Sequence, residues 1–400
     1  MPSLKILYIA LSCGPNLGSE DAVGWRIPLE ALRAGNDVTV LTRGDKRVEI
    51  ETYIKNHPND CFPNFIYHDL SRVAQQLKGP FYTARAQIWC SEVSNLLPVI
   101  CSKGNFDVVH QITPVEFRSI VDMSDINALR VLGPLGGGGP IDPILKDNCL
   151  VLSERFIEAL WASMNVLSVR SSRARRALSS FDLVFATNRE TKDELKKMDK
   201  SKHVAIRSEV AASSVVRHSK DKTSKLVIGF AGRLHYRKGI SFLLDVASQF
   251  SPECLDVLIA GDGPLRAKIE SSIIERKLED RVELIGSVPH DKISDFYNRL
   301  DIFAFPSFRE ATGSVLVEAL AAGLPCVSFK SFGAEELLKE RSGCLVPVCS
   351  TYEETVQAFA DAIRTVGRHP CDYTLTPATW ADQASFFIDT YDRAINDRDN

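Results

Sequence analysis

The sequence predicts an α/β protein of two Rossmann-like domains, each with a parallel β-sheet, facing each other across an interdomain cleft. First, short apolar runs alternate with amphipathic segments along the 400 residues. Second, this alternation stops in a polar segment at residues 213–224 and then restarts. Third, a chain of 400 residues is longer than a domain with a single hydrophobic core usually is. In such sheets ligands bind at the carboxyl ends of the strands, so we expect the functional residues there.

Each predicted element follows from its apolar pattern. Strands are predicted at residues 5–11, 37–42, 64–68, 106–112, 128–133, 182–187 and 203–208, and then at 226–231, 255–260, 281–285, 302–305, 325–329 and 343–346. Helices between them are predicted at residues 25–34, 83–100, 153–169 and 166–178, and then at 239–250, 264–276, 291–299, 313–322, 334–339 and 353–366. The first domain is therefore expected at residues 1–212, the linker at 213–224 and the second domain at 225–379, followed by a C-terminal helix at 380–400.

Composition excludes several classes of protein. The net charge is −3, from 48 basic and 51 acidic side chains, so nothing favours nucleic acid as a partner. Ten cysteines contain no Cys-x2-Cys pair, which argues against zinc and indicates small buried side chains in a reducing compartment. The N-terminal segment leads into a strand without the long apolar stretch of a signal peptide. No run approaches the roughly 18 apolar residues of a membrane span. We therefore expect a cytoplasmic protein.

Two carboxylates eight residues apart are the most informative feature. Glu310 follows the apolar strand at residues 302–305, and Glu318 lies among Val, Leu and Ala residues of the predicted helix. A carboxylate in apolar surroundings is costly unless something pairs with it. Sugar hydroxyls are suitable partners, because an ionised carboxylate only accepts hydrogen bonds. The alternative is an ordinary helix start with one solvated glutamate.

This segment resembles the signature of the retaining glycosyltransferases of family 4, which have the two-domain GT-B fold. The resemblance rests on the Glu-x7-Glu spacing and the following Ala-Leu-Ala-Ala-Gly-Leu-Pro, although Ala-Thr-Gly replaces the usual Gly-Phe-Gly after Glu310. It implies transfer of a hexose-type sugar from a nucleoside diphosphate sugar to an acceptor hydroxyl, with retained anomeric configuration. It further implies that Glu310 binds the sugar and Glu318 the ribose. The implied donor-binding loop also contains Ala311, Thr312, Gly313 and Ser314.

A glycine-rich basic loop follows the first strand of the second half. Glycines such as Gly232 let the backbone approach a phosphate, and the next helix points its amide groups at an anion. Arg233 offers a planar fork for phosphate oxygens and Lys238 a point charge, with Arg237 as a substitute for or support to Lys238. The spacing resembles the family's Gly-Arg…Lys-Gly, in which these residues hold the diphosphate. The turn at residues 261–264 is interpreted as scaffold first and as a base contact second.

The first half resembles the family more loosely. Gly18 occupies a loop similar to the family's Gly-Gly-x-Glu, which implies contact with the diphosphate, although only one of the two glycines is present. His110 ends the fourth predicted strand, where the family has a histidine that touches the transferred sugar. An isolated histidine is also commonly structural. The glycines at 136–139 fit either an acceptor-side loop or a plain connector, and the sequence does not decide between them.

Partners and cofactors follow from the same comparison. The implied acceptor is a carbohydrate or a lipid-linked carbohydrate, as in polysaccharide, lipopolysaccharide or glycoconjugate synthesis. An Asp-x-Asp motif occurs at residues 397–399 alone, in an expected disordered tail, so we expect no metal and no cofactor beyond the donor. Arginines at 170–176 are interpreted as a solvated helix face. The alternative is peripheral contact with the inner face of a membrane.

Two other functions remain open at this stage. A different GT-B enzyme, such as a nucleotide-sugar epimerase or a phosphorylase, would share the cleft. A sugar-nucleotide-binding subunit without catalysis would be expected to lose its charged residues, yet Arg233, Lys238, Glu310 and Glu318 are all present. The identity of the sugar, the base and the acceptor is not encoded in these motifs.

Overall fold

The chain forms two compact units, neither of which is continuous in sequence. The computed structural model describes residues 3–15, 18–71, 75, 82–213, 225–289, 292–338, 342–368 and 377–399. The first unit comprises Met1–Gly138, Ser163–Ala211 and Ala378–Asn400, and the second comprises Gly139–Ala162 and Ala212–Pro377. Residues 214–224 of the predicted linker lie outside the described part of the chain.

The first unit contains a seven-stranded parallel sheet. Its strands are β1 Lys5–Ala10, β2 Asp37–Arg43, β3 Asn64–His68, β4 Val108–Thr113, β5 Leu129–Leu135, β6 Leu183–Ala186 and β7 Val204–Ile206. They lie in the order β3-β2-β1-β4-β5-β6-β7. Neighbouring strands pair in parallel, as in the register Ile6–Val108 between β1 and β4. Nearly continuous apolar runs form these strands because helices cover both faces of such a sheet.

Helices of the first unit fill the connections between its strands. They are α1 Ser19–Arg33, α2 Arg47–Asn56, α3 Tyr82–Gly104, α6 Ser172–Ser179 and α7 Arg189–Met198, whereas α4 Pro143–Cys149 belongs to the second unit and α5 Leu152–Arg170 begins in the second unit and continues into the first from Ser163. The prediction of a single helix at 166–178 is wrong. Ser171 interrupts it with an extended backbone, and its hydroxyl accepts a hydrogen bond from Ala174 N to begin α6.

The second unit is a smaller six-stranded parallel sheet. Its elements are β8 Leu226–Ala231, α8 Ile240–Ala247, β9 Leu255–Ala260, α9 Arg266–Glu275, β10 Val282–Gly286, α10 Ile293–Asn298, β11 Ile302–Phe305, α11 Ser314–Ala321, β12 Cys326–Phe329, α12 Phe332–Leu337, β13 Gly343–Val346 and α13 Tyr352–Arg368. The strand order is β10-β9-β8-β11-β12-β13. The predicted fold class, two Rossmann-like units on parallel sheets, is therefore confirmed at the level of each unit.

Residues 139–162 belong to the second unit, although the sequence placed all of 1–212 in the first domain. Ile141, Leu145 and Leu150 pack into the core of the second unit together with the buried residues of β8 and α8. The last helix, α14 Trp380–Asp399, belongs to the first unit and packs against α1. No helix among the described residues is long and apolar enough to cross a bilayer.

Candidate functional site

The strand order of the second unit fixes where a ligand would bind. Strands β8 and β11 are neighbours in the sheet. The strand that follows β8 in the chain, β9, lies on one side of this pair, and the strand that follows β11, β12, lies on the other side. Loops that leave the carboxyl ends of two such strands diverge and leave a crevice between them. The loop after β8 carries Arg233 and Lys238, and the loop after β11 carries Glu310.

Glycine at position 239 allows these two loops to touch. Residues Tyr236–Lys238 form one 3-10 turn, and Gly239 then adopts the left-handed conformation at φ 67°. A Cβ atom at Gly239 would lie 2.0 Å from the carbonyl oxygen of Pro306 in the other loop. Phe308 N donates a hydrogen bond to Arg237 O at 2.8 Å. The close approach of the two loops therefore depends on the absence of a side chain at position 239 and on the backbone hydrogen bond from Phe308 to Arg237.

The predicted turn at 261–264 supports the basic loop from behind. A Cβ atom at Gly261 would lie 1.9 Å from Gly232 O, and one at Gly263 would lie 2.5 Å from Leu234 O. Leu234 N donates to Asp262 O at 2.9 Å. These contacts favour the scaffold interpretation of the turn. Gly232 itself has φ 147°, which a residue with a side chain rarely adopts.

Lys238 and Glu310, predicted separately from the sequence, form an ion pair with each other. The Lys238 ammonium donates to Glu310 Oε1, and the two side chains are 23% and 19% exposed. Arg233 lies on the same loop with an exposed side chain. An anion that enters here would find the exposed guanidinium groups of Arg233 and Arg237 and one ammonium already held in place by a carboxylate.

Glu318 lies on α11 and is held by a residue that the sequence analysis did not identify. Tyr297 on α10 donates its hydroxyl to Glu318 Oε2 at 3.0 Å and contacts Val315 O at 3.3 Å. Burial, and next the charge of Glu318, raise the pKa of Tyr297 well above its ordinary value, so the hydroxyl stays protonated and donates. The Glu318 carboxylate, which the sequence analysis expected to pair with a ligand hydroxyl, therefore already accepts one hydrogen bond from a protein side chain.

The segment between the two glutamates is tightly enclosed. Gly313 has φ 95°, and a Cβ atom there would lie 2.6 Å from the Phe305 ring. Thr312 is 1% exposed, whereas Ala311 and Ser314 are half-buried. A Cβ atom at Gly333, on α12, would lie 2.2 Å from Ala311 O. Packing of α12 against this turn fixes the start of α11, whose first amide groups face the loop end.

A buried ion pair links both loops to α5 and was missed from sequence. Arg309, next to Glu310, donates to Glu158 at 2.6 and 3.0 Å, and the residues are 5% exposed each. Tyr236 of the basic loop donates to the same carboxylate at 2.8 Å. The Arg309 guanidinium also lies 3.5 Å from the centre of the Trp161 ring. Glu158 thereby holds one residue from each of the two candidate site loops.

His110 lies in the core of the first unit and not at an open strand end. Its side chain is fully buried, with Nε2 donating to Gly133 O at 2.6 Å and Nδ1 accepting from the Tyr391 hydroxyl at 2.6 Å. Burial lowers the pKa of His110 to about 4, so the ring is neutral at physiological pH. These are the contacts of a structural histidine, which corrects the expectation that it touches a sugar.

The loop after β1 in the first unit holds Gly18 on its surface. Gly18 is exposed, and a Cβ atom there would meet nothing within 4 Å. The neighbouring Glu20 accepts hydrogen bonds from Val115 N at 2.5 Å and from the Tyr82 hydroxyl at 2.7 Å. Burial raises the pKa of this carboxyl. Because Val115 follows β4, Glu20 joins the ends of the two strands at which the first sheet changes direction.

The glycine string and the terminal Asp-x-Asp have structural contacts. Gly136 N donates to Val115 O at 2.5 Å, and Gly138 N donates to Thr191 Oγ1 at 3.1 Å, so the string is held against the first unit. Asp397 lies within the helix α14 and not in a disordered tail. Among the described residues, no group of three or more His, Cys, Asp or Glu side chains could hold a metal ion.

Comparisons with known proteins point to one family for the second half of the chain. Residues 215–369 match the family model of Glycosyl transferases group 1. Over 122 residues the chain is 41% identical to the phosphatidylinositol N-acetylglucosaminyltransferase gpi3 subunit of Schizosaccharomyces pombe, a match that covers 30% of this chain and 27% of that relative. The chain thus matches little more than a quarter of the length of this relative.

Solved structures share the fold over nearly the whole chain. A sucrose-phosphate synthase from Thermosynechococcus elongatus matches with a TM-score of 0.60 at 17% identity, covering 98% of this chain and 96% of that one. Anabaena Alr3699/HepE, solved in complex with UDP and glucose, matches with a TM-score of 0.58 at 16% identity, covering 99% of both chains. At these identities the likeness establishes the GT-B type of fold.

Proposed function

We propose that this chain is a glycosyltransferase that moves a sugar from a nucleoside diphosphate sugar to an acceptor hydroxyl with retained anomeric configuration. The contact between the loops that follow β8 and β11 carries the proposal. It sets the Lys238–Glu310 pair and the exposed Arg233 at the point where the sheet of the second unit changes direction. A cationic group beside a carboxylate suits a ligand that joins a diphosphate to a polyol.

Each residue of the site then has a distinct role. The diphosphate gains negative charge as the sugar leaves, and Arg233 and Lys238 stabilise that charge where it develops. Glu310 accepts hydrogen bonds from the sugar hydroxyls, and Glu318, steadied by Tyr297, accepts them from the ribose. Ala311, Thr312, Gly313, Ser314 and Gly232 supply the enclosed backbone around the donor, and Gly18 is proposed as a further contact of the donor diphosphate. His110 receives no role in contact with the sugar.

The donor and acceptor are proposed by chemical class. HepE was solved with UDP and glucose, which supports uridine as the first base to test. The gpi3 relative is named for a phosphatidylinositol acceptor, which supports a lipid-linked carbohydrate beside a free carbohydrate as acceptor. We propose that basic side chains do the work that a divalent ion does elsewhere, so that neither metal nor further cofactor takes part.

A nucleotide panel combined with variants of the basic loop tests this function. Uridine, guanosine and adenosine diphosphates are compared by thermal shift, since a ligand at 100 times its dissociation constant adds about 2.7 kcal/mol. Arg233→Ala or Lys238→Ala should lower turnover over donor Michaelis constant by about 30- to 1000-fold, or roughly 2–4 kcal/mol. Arg299→Ala, an exposed arginine on the same unit, is the control. Near-normal activity in both loop variants would place the diphosphate elsewhere.

A second candidate is a subunit that needs partners for activity, because the gpi3 relative is itself named a subunit. The purified chain would then bind nucleoside diphosphate but form no glycoside until other chains are supplied. Release of nucleoside diphosphate only when an acceptor is present would separate transfer from epimerisation. Product formed by the isolated chain would exclude the subunit candidate.

A further inference from the structure

A cavity within the first unit has no role in the sugar transfer proposed above. Its volume is about 270 Å³, roughly nine times the share of one water molecule in the liquid. It lies between α3, the segment that follows β4, the end of α5 and the start of α6. None of the described residues that line it is acidic. Its polar side chains are those of Gln87, Arg118, Ser119, Ser168, Ser171 and Arg173.

Arg118 is held in place at this cavity before any ligand binds. Its side chain is 8% exposed, and Nη2 donates to Glu116 Oε2 at 2.9 Å and to Thr83 Oγ1 at 3.2 Å. Glu116 also accepts from the hydroxyl groups of Thr83 and Ser119. Gln87 Nε2 donates to Arg118 O at 3.2 Å. A guanidinium that is fixed in this way loses little conformational freedom when a ligand binds to it.

Arg173 supplies a second guanidinium from α6. Its side chain is exposed, and it donates to the Ser91 hydroxyl on α3. Because a hydroxyl is neutral, this contact does not balance the charge of Arg173 as Glu116 balances that of Arg118. Gln87 and Ser91 are one turn apart on α3, so Arg173 reaches the helix face that borders the cavity. The cavity therefore carries a positive charge in addition to the Arg118–Glu116 pair.

The start of α6 adds to the positive potential of this cavity. Ser171 precedes the first turn of this eight-residue helix, and the amide groups of a first helical turn carry partial positive charge. Arginines at positions 170, 175 and 176 are also exposed, and the sequence has no acidic residue from 163 to 179. Arg175 Nε donates to Val169 O at 2.9 Å, which holds α6 against the end of α5. This local excess contrasts with the net charge of −3 for the whole chain.

We propose that this cavity binds the phosphate group of a small soluble ligand of the sugar phosphate class. A phosphate offers several oxygen atoms in a tetrahedral arrangement, so the guanidinium groups of Arg118 and Arg173 can both bind it. The Ser168 hydroxyl can donate to a further oxygen. Leu167 and Ile120 line the same cavity and provide an apolar surface for the carbon skeleton of the ligand. This site goes beyond the proposed function, because it shares no residue with the donor loops.

Calorimetry on the full chain tests the site with inorganic phosphate, glucose 6-phosphate and glucose. We expect both phosphates to bind and glucose not to bind, because only the phosphates carry negative charge. Arg173→Gln should weaken the binding of glucose 6-phosphate about tenfold, since it removes one charge-assisted contact. Gln87→Glu should weaken it by about the same factor, because it places a carboxylate beside the bound phosphate.

Arg176→Gln is the matched control for Arg173→Gln. It removes the same charge from the same helix at an exposed position that does not line the cavity, so binding should change less than about threefold. Unfolding temperatures of the three variants should stay near that of the wild type, because each changed side chain is exposed.

Four results would each overturn the proposal. In the first, glucose 6-phosphate does not bind, whether or not vesicles that contain phosphatidic acid do. In the second, Arg173→Gln and Gln87→Glu both bind glucose 6-phosphate as the wild type does. The third is an Arg176→Gln variant that weakens binding as much as Arg173→Gln. The fourth is glucose that binds as tightly as glucose 6-phosphate.

The donor site is separated from this cavity by one further variant. Arg233→Ala should bind glucose 6-phosphate as the wild type does, because Arg233 belongs to the second unit. The same variant should lose affinity for nucleoside diphosphate. Loss of glucose 6-phosphate binding in Arg233→Ala would place the phosphate at the donor loops and overturn the assignment to the cavity. Sugar transfer and phosphate binding can therefore fail separately.

Discussion

Glu310 and Glu318 carry the same functional group, but the structure gives them partners of different kinds. Glu310 pairs with the cation Lys238, whereas Glu318 accepts a hydrogen bond from the neutral Tyr297. Removing charge at Glu310 releases Lys238 to interact with a diphosphate. Removing charge at Glu318 weakens an acceptor that the ribose would use in the ground state and in the transition state alike.

The two carboxylates should therefore differ in kinetics. Glu310→Gln should lower turnover while nucleoside diphosphate affinity stays equal or rises, because Lys238 loses its competitor. Glu318→Gln should lower affinity for nucleoside diphosphate with little change in turnover. Calorimetry with nucleoside diphosphate and steady-state kinetics measure both quantities. The reverse pattern would exchange the two roles, and no change in either variant would make the motif structural.

His110 should make the first unit sensitive to acid. Its pKa is about 4 in the folded state, against an ordinary 6.5, because burial disfavours the imidazolium. Between these pH values the unfolded chain binds the extra proton, so the free energy of unfolding falls as pH falls through this window. The loss is roughly 3 kcal/mol at most. His110→Gln, which keeps a donor and an acceptor, should flatten this slope in calorimetry from pH 7 to 4.5. An unchanged slope would contradict the assignment.

The sequence predicted candidate site residues that follow strands, and it missed the residues that hold them. Arg233, Lys238 and Glu310 were predicted because glycines and apolar strands mark their loops. Glu158 and Tyr297 were not found, because their partners lie 151 and 21 positions away and no local spacing encodes that distance. The sequence analysis expected His110 to touch a sugar, because the sequence alone does not distinguish a buried, hydrogen-bonded imidazole from an exposed one.

At the scale of elements, α5 should control how the donor loops are held. Glu158→Gln leaves the Arg309 charge buried without a counter-charge, which typically costs about 3–5 kcal/mol. It also loosens Tyr236, so the donor Michaelis constant should rise more than turnover falls. The double variant Glu158→Leu, Arg309→Met should recover stability but not donor affinity. Normal donor affinity in both variants would limit this cluster to a structural role.

Contact between the loops after β8 and β11 should tolerate no side chain at position 239. Gly239→Ala combines a left-handed backbone with a Cβ atom 2.0 Å from Pro306 O, so we expect a loss of roughly 2 kcal/mol or more. Gly137→Ala is the matched control, since its φ is 88° but its nearest neighbour lies 4.0 Å away. If Gly239→Ala and Gly137→Ala lower the free energy of unfolding in denaturant equally, the left-handed backbone accounts for the loss and the contact with Pro306 does not.

Strands were predicted more accurately than helices for a physical reason. The strands at 226–231 and 302–305 have the predicted bounds, because continuous apolar runs between turn residues have one interpretation in a parallel sheet. The first helix begins at Ser19 and not at residue 25, because its first turn contains the acidic residues Glu20 and Asp21, which favour a helix N-terminus but do not belong to the apolar pattern. The predicted helix at 166–178 ignored the capping hydroxyl of Ser171.

For the whole molecule, we expect activity without a metal ion. Arg233 and Lys238 provide positive charge, and the described residues contain no cluster suited to a metal. Product formation should persist in excess chelator and should not increase when magnesium or manganese is restored. Complete loss on chelation, with recovery by either ion, would overturn metal independence.

Periodicity identifies a helix but not the sheet against which it packs. Residues 139–162 are amphipathic and precede the predicted linker, so the sequence placed them with the first domain. Their packing into the second unit depends on Ile141 and Leu145 meeting the core around α8, which is a tertiary contact. The fold class was thus predictable, whereas the division of the chain between the units was not.

The interleaved units impose an order on synthesis. The ribosome produces every residue of the second unit before it produces α14, which completes the first unit around Tyr391 and His110. During translation the part of the first unit that packs against α14 therefore stays uncovered until α14 is made, whereas the second unit can already fold. Expression of residues 225–379 alone would also omit Glu158 and Ile141. Recombinant fragments cut at the linker should consequently aggregate, and the intact chain is the smallest sensible unit for refolding experiments.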